Sequence, residues 1–124
     1  MRVPVLSLRG ILIASVQGVL TDTDLMDLQT ELAQQVGARR AHGVLLDLTP
    51  LDVLDSYATR TLRDMAQTAR LRGAEMVIVG IQPEVALTMV QLGLRLEGVT
   101  TALDLEQGYH HLEQVTRGVA GHAR

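Results

Sequence analysis

The stretch LLDLTPLDVLDSYATRTLRDM, residues 45–65, contains a strand, a turn and the start of a helix. The apolar run Val44–Leu46 is unbroken until Asp47, a pattern that indicates a strand covered on both faces, as in a parallel sheet. A turn through Pro50 follows, and a helix opens at Ser56. Its predicted inner face consists of Ala58, Leu62, Met65, Ala66 and Ala69. This strand–loop–helix unit predicts an α/β fold.

The segment before this unit predicts a hairpin and one more helix. The aliphatic runs 3–8 and 11–16 are joined by Arg9-Gly10, which favours two antiparallel strands. The run 21–24, Thr-Asp-Thr-Asp, is a helix-start signal, because its side chains satisfy free backbone N–H groups and complement the helix dipole. Gly37 is the expected end of that helix.

The segment after the unit continues the alternation of strands and helices. The predicted elements are a strand at 76–79, a helix from Gln82-Pro83 with Val85, Met89 and Leu92 inside, a strand at 99–102, and a helix from Asp104 to about Val115. The order predicts a mostly parallel sheet with one antiparallel N-terminal strand and about four covering helices. One domain is expected over 1–116, followed by a flexible tail at 117–124.

The composition excludes several classes of protein. The 124 residues suit one domain, and a hydrophobic content of 47% is enough for a core. Phe and Trp are absent and the formal net charge is −3, which argues against nucleic acid as a partner. No apolar run approaches the ~20 residues that cross a bilayer, and no leader peptide is evident. A cytoplasmic protein without a membrane partner is therefore expected.

Cysteine and lysine are both missing, and all eleven basic residues are arginine. The lack of cysteine excludes disulfides, thiolate metal sites and cysteine nucleophiles. The lack of lysine excludes Schiff-base chemistry, the P-loop and the lysine expected of a response-regulator receiver domain.

No arrangement of residues predicts an enzyme, a metal site or a cofactor. Asp47 ends a strand where α/β proteins place their sites, so a ligand-binding or enzymatic domain using Asp47 stays open beside a simple turn role. Gly80 stands alone, whereas a dinucleotide fingerprint needs several glycines. The four histidines lack metal-ligand spacing and are expected at the surface: His42, His110, His111 and His122.

Ser56 has two interpretations. A serine at a helix start commonly caps free N–H groups. The same place suits phosphorylation, because the helix dipole favours negative charge there. A phosphoserine adds about −1.5 to −2 charge, beside Asp52 and Asp55, and this would change what can dock on the surface without unfolding the domain.

Three stretches carry a resemblance to a known family: GVLLDLT at 43–49, LDS at 54–56, and VGIQPEVALTMVQLG at 79–93, with TALDLEQG at 101–108 in addition. They make the chain resemble a STAS domain, the SpoIIAA-like fold of anti-sigma factor antagonists. Within the family it is similar to the stressosome scaffolds of the RsbS type. The resemblance covers almost the whole chain, and Tyr57 departs from it, since an apolar residue is more usual there.

The resemblance implies a non-enzymatic scaffold in a homo-oligomer or large hetero-assembly with sensor paralogues of the RsbR type, which carry an additional sensory domain. The assembly would hold a serine/threonine switch kinase of the RsbT type and release it when the kinase phosphorylates Ser56, and a phosphatase would reverse the reaction. Asp52, Asp55 and Tyr57 would form the kinase-facing surface. Thr88 falls on a second phosphoacceptor position of the sensors, although a plain helical threonine is the simpler interpretation.

A direct anti-sigma factor antagonist is the nearest alternative. Such a protein is also a STAS domain with a serine at a helix start. It would bind a sigma-sequestering kinase in a small complex and build no shell.

Overall fold

The computed structural model describes residues 3–122, with side chains described through Val115. It contains five strands and four helices in the predicted order. Their bounds are β1 Val5–Leu8, β2 Ile11–Ser15, α1 Asp22–Arg39, β3 Gly43–Asp47, α2 Ser56–Leu71, β4 Glu75–Val79, α3 Pro83–Gln91, β5 Thr100–Ala102 and α4 Leu105–His122.

The strands form one sheet in chain order, β1-β2-β3-β4-β5. β1 is antiparallel to β2, and every other neighbouring pair is parallel. The predicted hairpin turn is confirmed: Arg9 and Gly10 both have positive φ, 51° and 80°, as a two-residue turn with the right-handed twist of the strands requires. The predicted α/β class and mixed sheet are therefore confirmed.

Two hydrophobic layers cover the two faces of the sheet. The larger layer packs the inner stripes of α1, α2 and α3 against one face, and all five predicted core residues of α2 lie in it. The smaller layer lies on the opposite face beneath α4, where Leu112 packs with Ile11, Leu45, Val77 and Val79. β3 and β4 contribute to both layers, which explains why their sequences are apolar without alternation.

α1 begins as predicted but ends later. Thr21 Oγ1 accepts a hydrogen bond from the Asp24 N–H, and the Asp24 carboxylate accepts one from the Thr21 N–H, each at 3.1 Å. The predicted stop at Gly37 is wrong, because the helix continues to Arg39. Gly37 instead leaves room for the Arg72 guanidinium, which occupies the space that a Cβ would fill. The helix ends where Arg40 adopts a left-handed conformation, φ 50°.

The predicted inner stripe of α3 is partly wrong. Val85 and Met89 are buried, but Leu92 is 67% exposed. α3 ends at Gln91, and Gly93, with φ 69°, then reverses the chain. The Leu94 N–H donates to the Met89 carbonyl at 2.9 Å, which closes the helix and turns Leu94 onto the core in place of Leu92.

α4 is longer than predicted. The sequence places its end near Val115, whereas the helix continues to His122. Most of the tail expected at 117–124 is thus helical backbone, and residues 123–124 lie outside the described residues. Flexibility of this segment stays a prediction.

Candidate phosphorylation and docking site

The loop between β3 and α2 is fixed by its own apolar residues. Leu51 and Leu54 are buried in the larger core layer, whereas Asp52 and Val53, which lie between them, are exposed. Burial of each leucine contributes about 1.5–3 kcal/mol relative to an exposed side chain. The two buried leucines therefore hold the loop against the core, while Asp52 and Val53 between them face the solvent.

A hydrogen-bonded turn at the start of this loop accounts for Asp47. Its Oδ1 accepts hydrogen bonds from the Thr49 N–H at 2.9 Å and from the Thr49 hydroxyl at 2.5 Å. Gly80, with φ 78°, passes so close to Thr49 and Asp47 that a Cβ would collide with both. The structure thus gives Asp47 the role of a turn residue, the simpler of its two sequence interpretations.

The loop after β4 supports the same turn from the other side. Gln82 Nε2 donates to the Thr49 carbonyl at 2.7 Å, and it lies 3.5 Å from Asp52 Oδ1. Gln82 is also the residue before α3, with Pro83 in the first helical turn. The loop before α2 and the start of α3 are therefore connected through one side chain.

Ser56 is the first residue of α2 and is exposed. The helix cap is Asp55 and not the serine: Asp55 Oδ1 accepts a hydrogen bond from the Ala58 N–H at 2.8 Å. Within the part of the chain that the structure describes, the Ser56 hydroxyl makes no hydrogen bond. Because a neighbouring residue does the capping, the Ser56 hydroxyl is available for other chemistry.

One side of the α2 start is apolar and acidic. Here Val19 and Val53, which are 87% and 73% exposed, border a depression of about 340 Å³. Asp22, Asp52 and Asp55 line the same depression. We call this the acidic groove. The residues named here come from the loops that follow β2 and β3 and from the first residue of α1, since the carboxyl ends of parallel strands share one edge of the sheet.

The other side of the α2 start is basic. Ser56 itself lines an open groove of about 310 Å³ together with Arg60, Arg63 and Arg95. Thr59, Gly93, Leu94 and Glu97 complete its lining. We call this the arginine groove. Ser56 thus lines the basic groove, whereas its chain neighbour Asp55 lines the acidic groove.

The remaining candidates occupy different positions. Tyr57 is half-buried against the larger core layer, so only part of its side chain belongs to the surface. Thr88 is exposed on α3, donates its hydroxyl to the Glu84 carbonyl at 2.9 Å, and lines neither groove. Of the predicted surface histidines, His110 is exposed, His42 and His111 are half-buried, and the His122 side chain lies outside the described residues.

The arginines of the arginine groove and the contribution of the loop before α1 were not predicted from the sequence. Arg60 and Arg63 stand four and seven residues after Ser56, a spacing that places them on the same helix face, so this signal was present. Arg95 is 39 positions from Ser56 in the chain, and Val19 reaches the site only through strand pairing. Neither has a local signal.

Within the span 3–122, none of the helices is both long enough and apolar enough to cross a bilayer.

Comparison with known proteins places this geometry in a family. The family model described as STAS domain matches residues 3–108. The RsbT co-antagonist protein RsbRA of Bacillus subtilis is 32% identical over 89 residues, which cover 72% of this chain and 32% of that protein. The chain therefore spans about a third of the length of this curated relative.

Two solved structures are similar over nearly the full chain. One is Moorella thermoacetica RsbS carrying a serine-to-glutamate substitution, with a TM-score of 0.80, 31% identity, and coverage of 94% of this chain and 99% of that one. The other comes from a study of the molecular architecture of the stressosome, with a TM-score of 0.76, 32% identity, and coverage of 92% and 99%. Together with the family match, these similarities show that the chain belongs to the STAS domain family.

Proposed function

We propose that this protein is a non-enzymatic stressosome scaffold that sequesters a serine/threonine switch kinase of the RsbT type and releases it when Ser56 is phosphorylated. Its partners are that kinase, sensor STAS paralogues of the RsbR type and a phosphatase that resets the serine, in a cytoplasmic assembly. The exposed and unbonded hydroxyl of Ser56 at the start of α2 is the observation on which this proposal depends.

The position of Ser56 suits a phosphoacceptor. The loop before it is held by buried leucines and by the Gln82 hydrogen bond, so the hydroxyl is presented on a defined backbone. Transfer forms a bond between Ser56 Oγ and the γ-phosphorus of ATP, releases ADP and sends the hydroxyl proton to a base on the kinase. The first turn of a helix then stabilises the added negative charge through its dipole.

The acidic groove supplies the docking surface. Its exposed valines offer apolar area, and its three aspartates favour a partner with basic residues around an apolar contact. Asp55 precedes Ser56 in the chain and also caps α2. A negative charge added at the serine therefore changes the electrostatic potential at the edge of this surface. Asp52 and the exposed part of Tyr57 belong to the same kinase-facing surface.

Similarity to characterised proteins supports the choice of partners. The curated relative is named as an RsbT co-antagonist, and the solved neighbours are RsbS and a stressosome component. Each of these names describes the similar protein and not this chain. Carried over to this chain, they favour a role in a large hetero-assembly over a role as an isolated domain.

The phosphorylation step is tested with the cognate RsbT-type kinase and ATP. Intact mass spectrometry should show one added phosphate on the wild-type chain and none on Ser56→Ala. Thr88→Ala is the matched control, since Thr88 is also an exposed hydroxyl in a helix, and it should be labelled as the wild type is. Equal labelling of Ser56→Ala would refute the assignment, and loss of labelling only in Thr88→Ala would move it to α3.

The assembly is tested by size. Mixed with RsbR-type paralogues, the chain should elute far above its own 13.5 kDa, and the mixture should retain the kinase until ATP is added. A simple stoichiometric pair with an anti-sigma factor kinase would support the direct antagonist instead. An effect of Asp47→Asn on any ligand binding would contradict the turn role of Asp47.

A further inference from the structure

The arginine groove concentrates positive charge beside Ser56. Arg60 and Arg95 are exposed, Arg63 is half-buried, and all three border the same groove. Across the described residues, no carboxylate lies within 4.0 Å of any of these guanidinium groups. Glu97 is the one acidic side chain in the lining, so three arginines and one glutamate give the groove a net charge of +2.

Such a groove is chemically suited to a phosphate. The planar guanidinium donates two parallel N–H bonds to oxyanions, and these bonds are about twice as strong as those between neutral groups. Arginines that have no carboxylate partner also repel one another, and an anion in the groove would relieve this repulsion.

The groove includes a residue that can supply the phosphate. Ser56 and Arg60 are four positions apart on α2, so their side chains are neighbours with Cβ atoms roughly 5–6 Å apart. The order, with the anionic group four residues before the cation, is the favourable one in a helix. Arg95 reaches the same groove from the segment after α3.

The charges on the other side of the helix start act in the same direction. Asp52 and Asp55 line the acidic groove and would repel a phosphoryl group on Ser56. Attraction from the arginines and repulsion from the aspartates therefore both direct the group into the arginine groove.

We infer that the arginine groove is an intramolecular receptor for the phosphate of phosphorylated Ser56, which ties α2 to the segment after α3. The inference rests on the proposed function in one respect, namely that Ser56 becomes phosphorylated. The added charge of about −1.5 to −2 then cancels the groove's +2, so the basic surface beside the serine becomes nearly neutral. Phosphorylation thus closes this groove to any anionic group of a partner.

The experiment uses the 124-residue chain in which phosphoserine is introduced at position 56 during translation, so that no kinase is required. A pH titration followed by 31P NMR reports the protonation of the phosphate. An opposite charge within about 4–6 Å lowers the pH midpoint of such a titration by about 1–3 pH units, and screening by salt at an exposed site reduces this effect. The titration midpoint of the phosphorylated wild-type chain should therefore lie about half a pH unit or more below that of the phosphorylated Arg60→Gln/Arg95→Gln variant.

The matched control is Arg39→Gln, which removes an exposed arginine at the end of α1. Its midpoint should equal that of the wild type. Equal midpoints in the wild type and the double variant would overturn the inference, as would an equal shift in the control. Circular dichroism checks folding, and Arg95→Gln alone, a change in an exposed loop residue, provides a second variant with a smaller shift in the same direction.

The two proposals fail separately. If no kinase labels Ser56, the proposed function is wrong, yet the titration still measures what the groove does with a phosphate. If the kinase labels Ser56 and the midpoints are equal, the scaffold role stands and the receptor is wrong.

Discussion

Replacement of Gly80 by alanine is expected to destabilise the turn that presents the candidate site. Gly80 has φ 78°, a left-handed conformation that costs a residue with a Cβ about 1–2 kcal/mol. The new Cβ would also collide with the Thr49 hydroxyl and approach the Thr49 backbone N to 3.2 Å. Relief requires movement of Thr49 away from Asp47, with loss of a hydrogen bond to a charged group that contributes about 1.5–3 kcal/mol.

The expected total for Gly80→Ala is thus about 2.5–5 kcal/mol of unfolding free energy, out of about 5–15 kcal/mol for a domain of this kind. Gly73→Ala is the matched control, because Gly73 has φ 88° but no atom lies within 4 Å of the position that its Cβ would take. It should lose only the left-handed strain, about 1–2 kcal/mol. Urea denaturation at equal m values measures both.

A double-mutant cycle isolates the collision. In a Thr49→Ala background the obstructing hydroxyl and its hydrogen bond to Asp47 are already gone, so Gly80→Ala should cost about 1.5–3 kcal/mol less than in the wild type. The steric account of this turn is refuted if the costs of Thr49→Ala and Gly80→Ala are additive in the double variant. It is also refuted if Gly73→Ala is as destabilising as Gly80→Ala.

Two further predictions concern α2. Asp55→Ala should lower the free energy of unfolding by about 1 kcal/mol because it removes the helix cap, whereas Ser56→Ala should change it by less than about 0.5 kcal/mol; equal effects in urea denaturation would contradict the assignment of the cap. Leu62→Ala, at a residue with 0% exposure, should lower the free energy of unfolding by about 2–5 kcal/mol. Leu71→Ala, at 89% exposure, should leave it within about 0.5 kcal/mol of the wild type. A small effect of Leu62→Ala would show that the core layer relaxes around the lost side chain.

Some features followed directly from local sequence. The unbroken apolar runs of β3 and β4 indicate strands covered on both faces, and both faces are covered. The Thr21 and Asp24 side chains predict a capped helix start, and they form the reciprocal cap. These predictions succeed because the deciding interactions lie within a few residues.

The errors arose where distant residues decide the local structure. Gly37 is a helix-stop residue by local rules, yet the Arg72 guanidinium, brought there by helix packing, takes the space beside it and the helix continues. Leu92 fits the helical spacing of an inner stripe, but the turn at Gly93 places Leu94 in the core instead. Helical spacing predicts which residues share a face only as far as the helix continues.

The candidate site shows the same division. The sequence by itself determined that a serine stands at the start of α2 behind two aspartates, because the strand, the loop and the helix are contiguous. Only the tertiary structure decided that Asp55 performs the capping, that Gln82 holds the loop, and that Arg95 joins Arg60 beside the free hydroxyl. Those contacts depend on parallel strands that bring the ends of separate segments to one edge of the sheet. No local pattern of residues encodes this proximity of segments that lie far apart in the chain.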